Sequence, residues 1–197
     1  MYLFFDTETA DKPRNWKAPA SDLDNWPRLV QIGWICCDRT GRASGSGDYL
    51  IQPEGFTIAR GATAVHGITT QRARQEGVEL EPVLEEFVRV VRKARILVAH
   101  NMDFDQKVIQ AEFFRTGMVS PMAGKTWCCT MKESTGFCRL PGPYGYKWPY
   151  GRVVPDSVRR TLRRSPQCSC GCGSLYEMLL RAQRDRGYWV RGGSEGV

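Results

Sequence analysis

Tyr2-Leu3-Phe4-Phe5-Asp6-Thr7-Glu8-Thr9 is an apolar run that stops on two acids one residue apart. A short block of consecutive apolar side chains reads as a buried strand. Residues i and i+2 of a strand point to the same side. Asp6 and Glu8 therefore aim two carboxylates at one place, a usual way to hold a hard divalent cation such as Mg²⁺. A strand running out into a polar turn leaves the same trace, so the pair decides nothing alone. What it calls for is a third acid from another strand.

Outward from this strand, a polar loop with Trp and Pro runs from Asp11 to Pro27. Arg28 to Cys37, rich in β-branched and aromatic residues, predicts a second strand. Asp38 to Gly47 is Gly/Ser/Arg-rich and reads as a hairpin loop, with a third strand over Asp48 to Gln52 closed by Pro53. Thr69 and Thr70 are candidate caps for a short helix ending near Gly77. Leu80, Val83, Leu84, Phe87, Val88 and Val91 recur at helical spacing, with Glu85, Glu86, Arg89 and Arg92 on the other face. Ile96 to Ala99 predicts a central strand, His100 to Asp105 a turn, and Val108, Ile109, Glu112 and Phe113 a helix running to about Gly117. The order β-β-β-α-β-α implies three antiparallel strands joined through a helical crossover to a parallel strand. The expected fold class is α/β, a mixed sheet flanked by helices. From Ser134 the chain reads as loop, and no internal repeat or heptad occurs.

The third acid lies in His100-Asn101-Met102-Asp103-Phe104-Asp105, where the central strand gives way to a helix. Ligand sites of open α/β sheets favour the carboxyl ends of strands. If the two strands are neighbours, Asp105 can reach a cation held by Asp6 and Glu8. Three acids converging from two strand ends are far more specific than either motif alone.

On these residues the chain resembles the DnaQ-like 3′–5′ exonucleases, the DEDD superfamily on an RNase H-like fold, from Met1 to Pro149. FFDTETA matches the first family motif, which implies metal-binding and catalytic acids at Asp6 and Glu8. VAHNMDFD matches the second, whose ligand is the acid after the aromatic, hence Asp105; Asp103 is the alternative, with a solvated turn role as its plainer reading. Ala64-Val65-His66-Gly67-Ile68-Thr69 resembles the segment beside the terminal nucleotide, which implies substrate contact by His66, a turn histidine being the other reading. The same resemblance sets Thr7 and the Thr9 backbone near the terminal sugar and adds Asn101 and Phe104 to the substrate-binding set. It implies two Mg²⁺ or Mn²⁺ ions roughly 4 Å apart, one activating water and one stabilising the leaving oxygen. The expected partners are single-stranded DNA or RNA 3′ ends and, for proofreading, a separate DNA polymerase subunit.

Composition sets the limits. A length of 197 residues suits one domain with an appendage. No stretch is apolar enough to span a membrane, and the acids of the first motif leave no room for a signal peptide. Eight cysteines without such a signal point to a reducing, cytoplasmic setting in which they stay thiols. Cys36-Cys37 and Cys128-Cys129 suit small buried side chains better than any metal-ligand spacing. The net charge of +7 is concentrated in residues 150–197, where nine Arg face four acids. The charge alone is thus a weak argument for a polyanion partner.

In the histidine branch of the family a third motif, H-x-A-L-x-D, supplies the general base and the fourth ligand. It is missing: the chain's two histidines are His66 and His100, and none follows Asp105. Composition also changes at Tyr150, beyond which there is no Lys, Ile or Phe. The chain therefore divides into an exonuclease-like domain, 1–149, and an Arg/Cys-rich tail, 150–197, with no expected native fold. The tail could be a metal-binding appendage on Cys168, Cys170 and Cys172, although C-x-C-x-C lacks the paired spacing of zinc sites. It could be a replacement that leaves a catalytically inactive nucleic-acid binder. Or it could be the family segment read out of frame. Regrouping the permitted codons of Pro166 to Cys172 as the last two bases of one and the first of the next allows H-N-A-L-A-D-V. The agreement continues through Arg181-Ala182, which favours a one-base insertion, or a loss of two, near codon 150.

Overall fold

The structure, a computed structural model, describes residues 1–132. Within them run β1 (Tyr2–Thr9), β2 (Leu29–Cys37), β3 (Ala43–Leu50), α1 (Arg60–His66), α2 (Thr70–Glu76), α3 (Leu80–Lys93), β4 (Ile96–Ala99), α4 (Met102–Thr116) and β5 (Thr126–Cys129). The strands form one sheet in the order β3-β2-β1-β4-β5. β1 and β2, and β2 and β3, pair antiparallel, while β1–β4 and β4–β5 pair parallel. This is the mixed sheet that the element order implies, with the acid-bearing strand at its centre.

Alternation along β1 sets the layers. Leu3 and Phe5 enter the main core with Trp34, Leu84, Phe87, Leu97 and Ile109. The Phe87 ring of α3 meets Phe5 at 5.6 Å and Trp34 at 5.5 Å, both tilted. Each such side chain, fully buried, stabilises the fold by about 1.5–3 kcal/mol. A smaller cluster of Ala10, Val30, Ile58, Ile68 and Ala73 seats α1 and α2 at the end of β1. Thr69 caps α2 as its sequence suggests, its side chain accepting from the Arg72 N–H at 3.1 Å.

Four local expectations are corrected. β3 begins at Ala43, so much of the expected hairpin loop is strand. Gly47 pairs with Trp34, and a Cβ there would overlap the indole ring. The glycine permits close approach rather than a turn. α1 has no counterpart in the sequence reading because none of its residues is fully buried and it carries no apolar stripe. β5 also has no counterpart there, since four residues are too few to show a period. The turn after β4 is shorter than expected, since α4 already starts at Met102. Cys36, Cys37, Cys128 and Cys129 are free thiols, and all but Cys129 are buried. Among the described residues no helix is long and apolar enough to cross a membrane. The expectations for the tail, including the 150–197 division, the Cys168 to Cys172 run and the shifted frame, lie outside the described residues.

Candidate active site

β1 outlasts its parallel neighbour. It pairs with β4 only from Tyr2–Ile96 to Phe4–Val98, yet continues to Thr9 along β2. Beyond Phe4 its other edge has no strand beside it among the described residues. The first turn of α4 occupies that place. The chain gets there through a tight reversal at Asn101, whose φ of 63° and ψ of 51° are left-handed. Among the described residues it is the one non-glycine with positive φ, and asparagine is among the types that tolerate it.

The reversal lays Asp105 against the open edge. Its Oδ1 accepts the Thr7 N–H at 3.0 Å and the Thr7 hydroxyl at 2.7 Å. The amide that a longer β4 would have paired is thus taken by a carboxylate. Thr7 lies on the Leu3/Phe5 side of β1, so alternation places Asp6 and Glu8 on the opposite side. The three acids share a strand end while approaching it from two directions.

Their electrostatics show that they share one neighbourhood. Glu8 is pushed up from 4.5 to about 8, first by burial and then by the charge of Asp6. Asp105, 2% exposed, is raised well above the ordinary carboxylate range, by burial first and by Asp6 next; the Thr7 bonds pull the other way and Glu8 adds a smaller push. Crowded, desolvated carboxylates of this kind are relieved by a cation. The donor set, all carboxylate oxygen, fits a hard divalent ion such as Mg²⁺ or Mn²⁺. It is not a preassembled cage: among the described residues no three His, Cys, Asp or Glu side chains stand grouped as ligands of one ion. Like-charge repulsion opposes closing on one point, while the Thr7 bonds favour the ionised form of Asp105 that a cation needs.

Asp103 is set apart. Its side chain is 67% exposed and meets Lys132 Nζ at 3.3 Å. His66 ends α1 and bridges back to β1, with Nδ1 accepting the Ile68 N–H at 3.0 Å and Nε2 3.2 Å from the Thr9 carbonyl. An accepting Nδ1 puts the proton on Nε2, which donates to Thr9. Burial lowers the pKa of His66, which favours this neutral form. Thr9 is itself buried, its hydroxyl donating to the Asp11 carbonyl at 2.6 Å. His100, also lowered by burial, meets the Thr130 hydroxyl at 3.0 Å. Phe104 stacks at a tilt with Trp16, centroids 5.5 Å apart, and with Trp26 at 6.3 Å.

One feature beside the site had no signal in the sequence. Glu112 of α4, 0% exposed, accepts from Arg28 Nε at 3.1 Å, Leu29 N–H at 2.8 Å and Arg115 Nη1 at 3.0 Å. Arg115 Nη2 also donates to the carbonyls of Leu23 and Trp26, at 2.7 and 2.6 Å. The helix that carries Asp105 is thereby bolted to the β1–β2 loop and the start of β2. The apolar helical pattern ranks Glu112 with the other members of α4 and cannot show that Arg28 from the strand side joins its i+3 neighbour Arg115 on it.

Comparison with known proteins bears on the whole of this arrangement. The family model for RNase T, described as Exonuclease, matches residues 3–139. The chain belongs to this exonuclease family. The match takes in β1, which carries Asp6 and Glu8, and the helix that carries Asp105. The fold is DnaQ-like, of the RNase H-like type. E. coli exonuclease I in complex with a dT13 oligonucleotide is similar at a TM-score of 0.68 and 18% identity, over 94% of this chain and 41% of that one. A zinc-bound form of the E. coli ExoI–ssDNA complex gives 0.65 and 18%, over 94% and 41%. An ExoI/SSB-Ct complex gives 0.69 and 17%, again over 94% and 41%. The chain thus spans about two fifths of the length of the solved structures it matches, and at this identity the likeness is one of fold. None of the curated proteins compared matches it.

Proposed function

We propose that this exonuclease domain descends from a metal-dependent 3′–5′ exonuclease acting on single-stranded DNA or RNA ends, and that the chain as it stands is impaired. The observation that carries the first half is that Asp6, Glu8 and Asp105 lie within electrostatic reach of one another at the strand end where β1 outlasts β4. Asp6, Glu8 and Asp105 would hold the cations, with Thr7 orienting Asp105. When bound, two Mg²⁺ or Mn²⁺ ions supply an activated water and stabilise the leaving oxygen at the 3′-terminal phosphodiester. Thr9, His66, Asn101 and Phe104 border the terminal nucleotide, His66 by fixing the α1–α2 segment against Thr9.

The second half rests on the sequence. Without a histidine beyond His100, the general base and fourth ligand of the third motif are missing from these 197 residues. Losing a general base costs about 10²- to 10⁴-fold in rate, and losing a ligand adds to that. The test is a Mg²⁺-dependent assay on 3′-labelled single-stranded DNA. Little or no release of label is expected from this chain, and release from a version whose frame is restored after Pro149. Robust turnover by the chain as written refutes the impairment. A nucleotide sequence whose alternative frame after Pro149 lacks H-x-A-L-x-D refutes the frame explanation and leaves 150–197 a genuine tail.

The same missing base supports a second reading, a catalytically inactive nucleic-acid binder. Steep salt dependence of binding without hydrolysis, lost on truncation at Pro149, would favour it. A separate polymerase subunit as partner and a cytoplasmic setting belong to the proposal as well. Co-purification from a cell lysate tests the first.

A further inference from the structure

We propose that the β1–β2 loop is a binding site for an unpaired nucleobase, with Trp16 as its stacking plate. The inference deepens the nuclease reading by naming what the site takes beside the acids. Trp16 is 53% exposed, an unusual position for the largest apolar side chain unless a ligand covers it. The loop that presents it is tightly built. The Asn15 N–H donates to Asn25 Oδ1 at 2.7 Å, and Asn25 Nδ2 returns a bond to the Asn15 carbonyl at 3.0 Å. Lys17 N–H donates to Asn15 Oδ1 at 3.0 Å, and Trp26 Nε1 to the Pro19 carbonyl at 2.9 Å. Lys107 of α4 donates to the Trp16 carbonyl itself at 3.0 Å. Pro13, Ala18, Ala20, Asn25 and Trp26 are buried. The exposed ring thus stands on a fixed base, which lowers the entropy lost when something stacks on it.

Its position relates it to the acids. Trp16 leans on Phe104, and Phe104 directly precedes Asp105. The Trp16 loop therefore packs on the same first turn of α4 that carries Asp105. Lys12, Arg14 and Lys17 are exposed on the same loop, and the Lys107 ammonium lies 5.2 Å from the Trp26 ring centroid. Aromatic faces interleaved with cations are what a single strand recognises, bases on the rings and phosphates on the charges. The surroundings argue against an apolar protein partner. Among the described residues the other exposed large apolar side chains, Val65, Val78, Phe114 and Val119, sit outside this loop. A base inside a duplex has both faces occupied, so the site selects single strands.

The test uses the full chain and a 5′-labelled oligo-dT read by fluorescence anisotropy in EDTA, so that cleavage cannot intrude. Trp16→Ala should weaken binding about 5- to 100-fold, the range that loss of one base–aromatic stack produces. Trp16→Leu, which keeps apolar bulk against Phe104 without a π face, should lose as much, and Trp16→Tyr should recover most of it. Binding of a blunt duplex of equal length should not change. Unchanged affinity in both Trp16→Ala and Trp16→Leu overturns the proposal, as does an equal loss for duplex and single strand. A chain that binds single strands through Trp16 yet never cleaves, even with its frame restored, sinks the nuclease reading and leaves this one standing. A chain that cleaves but ignores Trp16 does the reverse.

Discussion

Cation binding at this site should release protons, and the amount can be worked from the structure. Glu8 titrates at about 8 because it is buried beside Asp6, and Asp105 is raised as well. At pH 6 a carboxyl with that value is ionised in only about 1% of molecules. A divalent ion needs the ionised form, so its apparent affinity should fall about tenfold for each pH unit below 8 on account of Glu8. The raised Asp105 adds to the dependence in the same direction. Isothermal titration of Mg²⁺ or Mn²⁺ at pH 6, 7, 8 and 9, each in two buffers of different ionisation enthalpy, counts the protons directly. Glu8 should give up about one at pH 7 and almost none above pH 9. Glu8→Gln should remove one from the count. The cation-free protein should show the opposite trend in stability. Above pH about 4.5 the unfolded chain gives up a Glu8 proton that the folded chain keeps until about 8. Stability is therefore highest below the unfolded value and declines as pH rises through that window, by several kcal/mol at most. Thermal midpoints should drop from pH 5 to pH 8 without the cation, and added Mg²⁺ should restore them most at the alkaline end. An affinity flat from pH 6 to 8, with no protons released, would refute the reasoning.

Three further outcomes are expected. Thr7→Val removes the hydroxyl from Asp105 while keeping the shape and the backbone donor, so cation affinity at pH 7 should fall about tenfold, the worth of one bond to a charged group; equal titration curves would show that Thr7 does not position Asp105. Glu112→Gln leaves Arg28 and Arg115 without their shared carboxylate and should cost about 2–4 kcal/mol in urea unfolding, with the β1–β2 loop more open to proteolysis; a loss under about 0.5 kcal/mol would contradict the bolt described above. Gly47→Ala drives a methyl into the Trp34 ring and should cost about 1–3 kcal/mol, whereas Gly45→Ala on the same strand, with open space around it, should cost far less.

What the sequence reveals and what it hides divide along physical lines. α3 is legible because its burial is periodic, and β1 and β4 because each is a short apolar run, Ile96–Ala99 being bounded as that run suggests. Asp105 is legible as a member of a motif, and a strand-to-helix junction is where such a residue should lie. The role of Thr7 is not, because its partner is 98 residues away and the bond depends on β4 stopping short. Gly47 misleads, since a glycine allowing close approach and a glycine allowing a turn look alike in one sequence. Trp16 is visible as a residue but not as a surface. Its exposure shows that the ring stands outward, and the hydrogen bonds between Asn15 and Asn25 help to fix the loop that carries it.

The difference in length between β1 and β4 sets a simple rule for how the site can be built or lost. The sheet itself supplies the Thr7 amide, and it does so only while β4 remains short. A few more residues of extended chain after Ala99 would zip along the free edge, satisfy that amide with a carbonyl and leave Asp105 nowhere to dock. The chemistry would disappear with every acid still in place. In this architecture strand length works as a switch separate from residue identity, so chains of this kind are better compared by the register in which β4 ends than by their motifs alone.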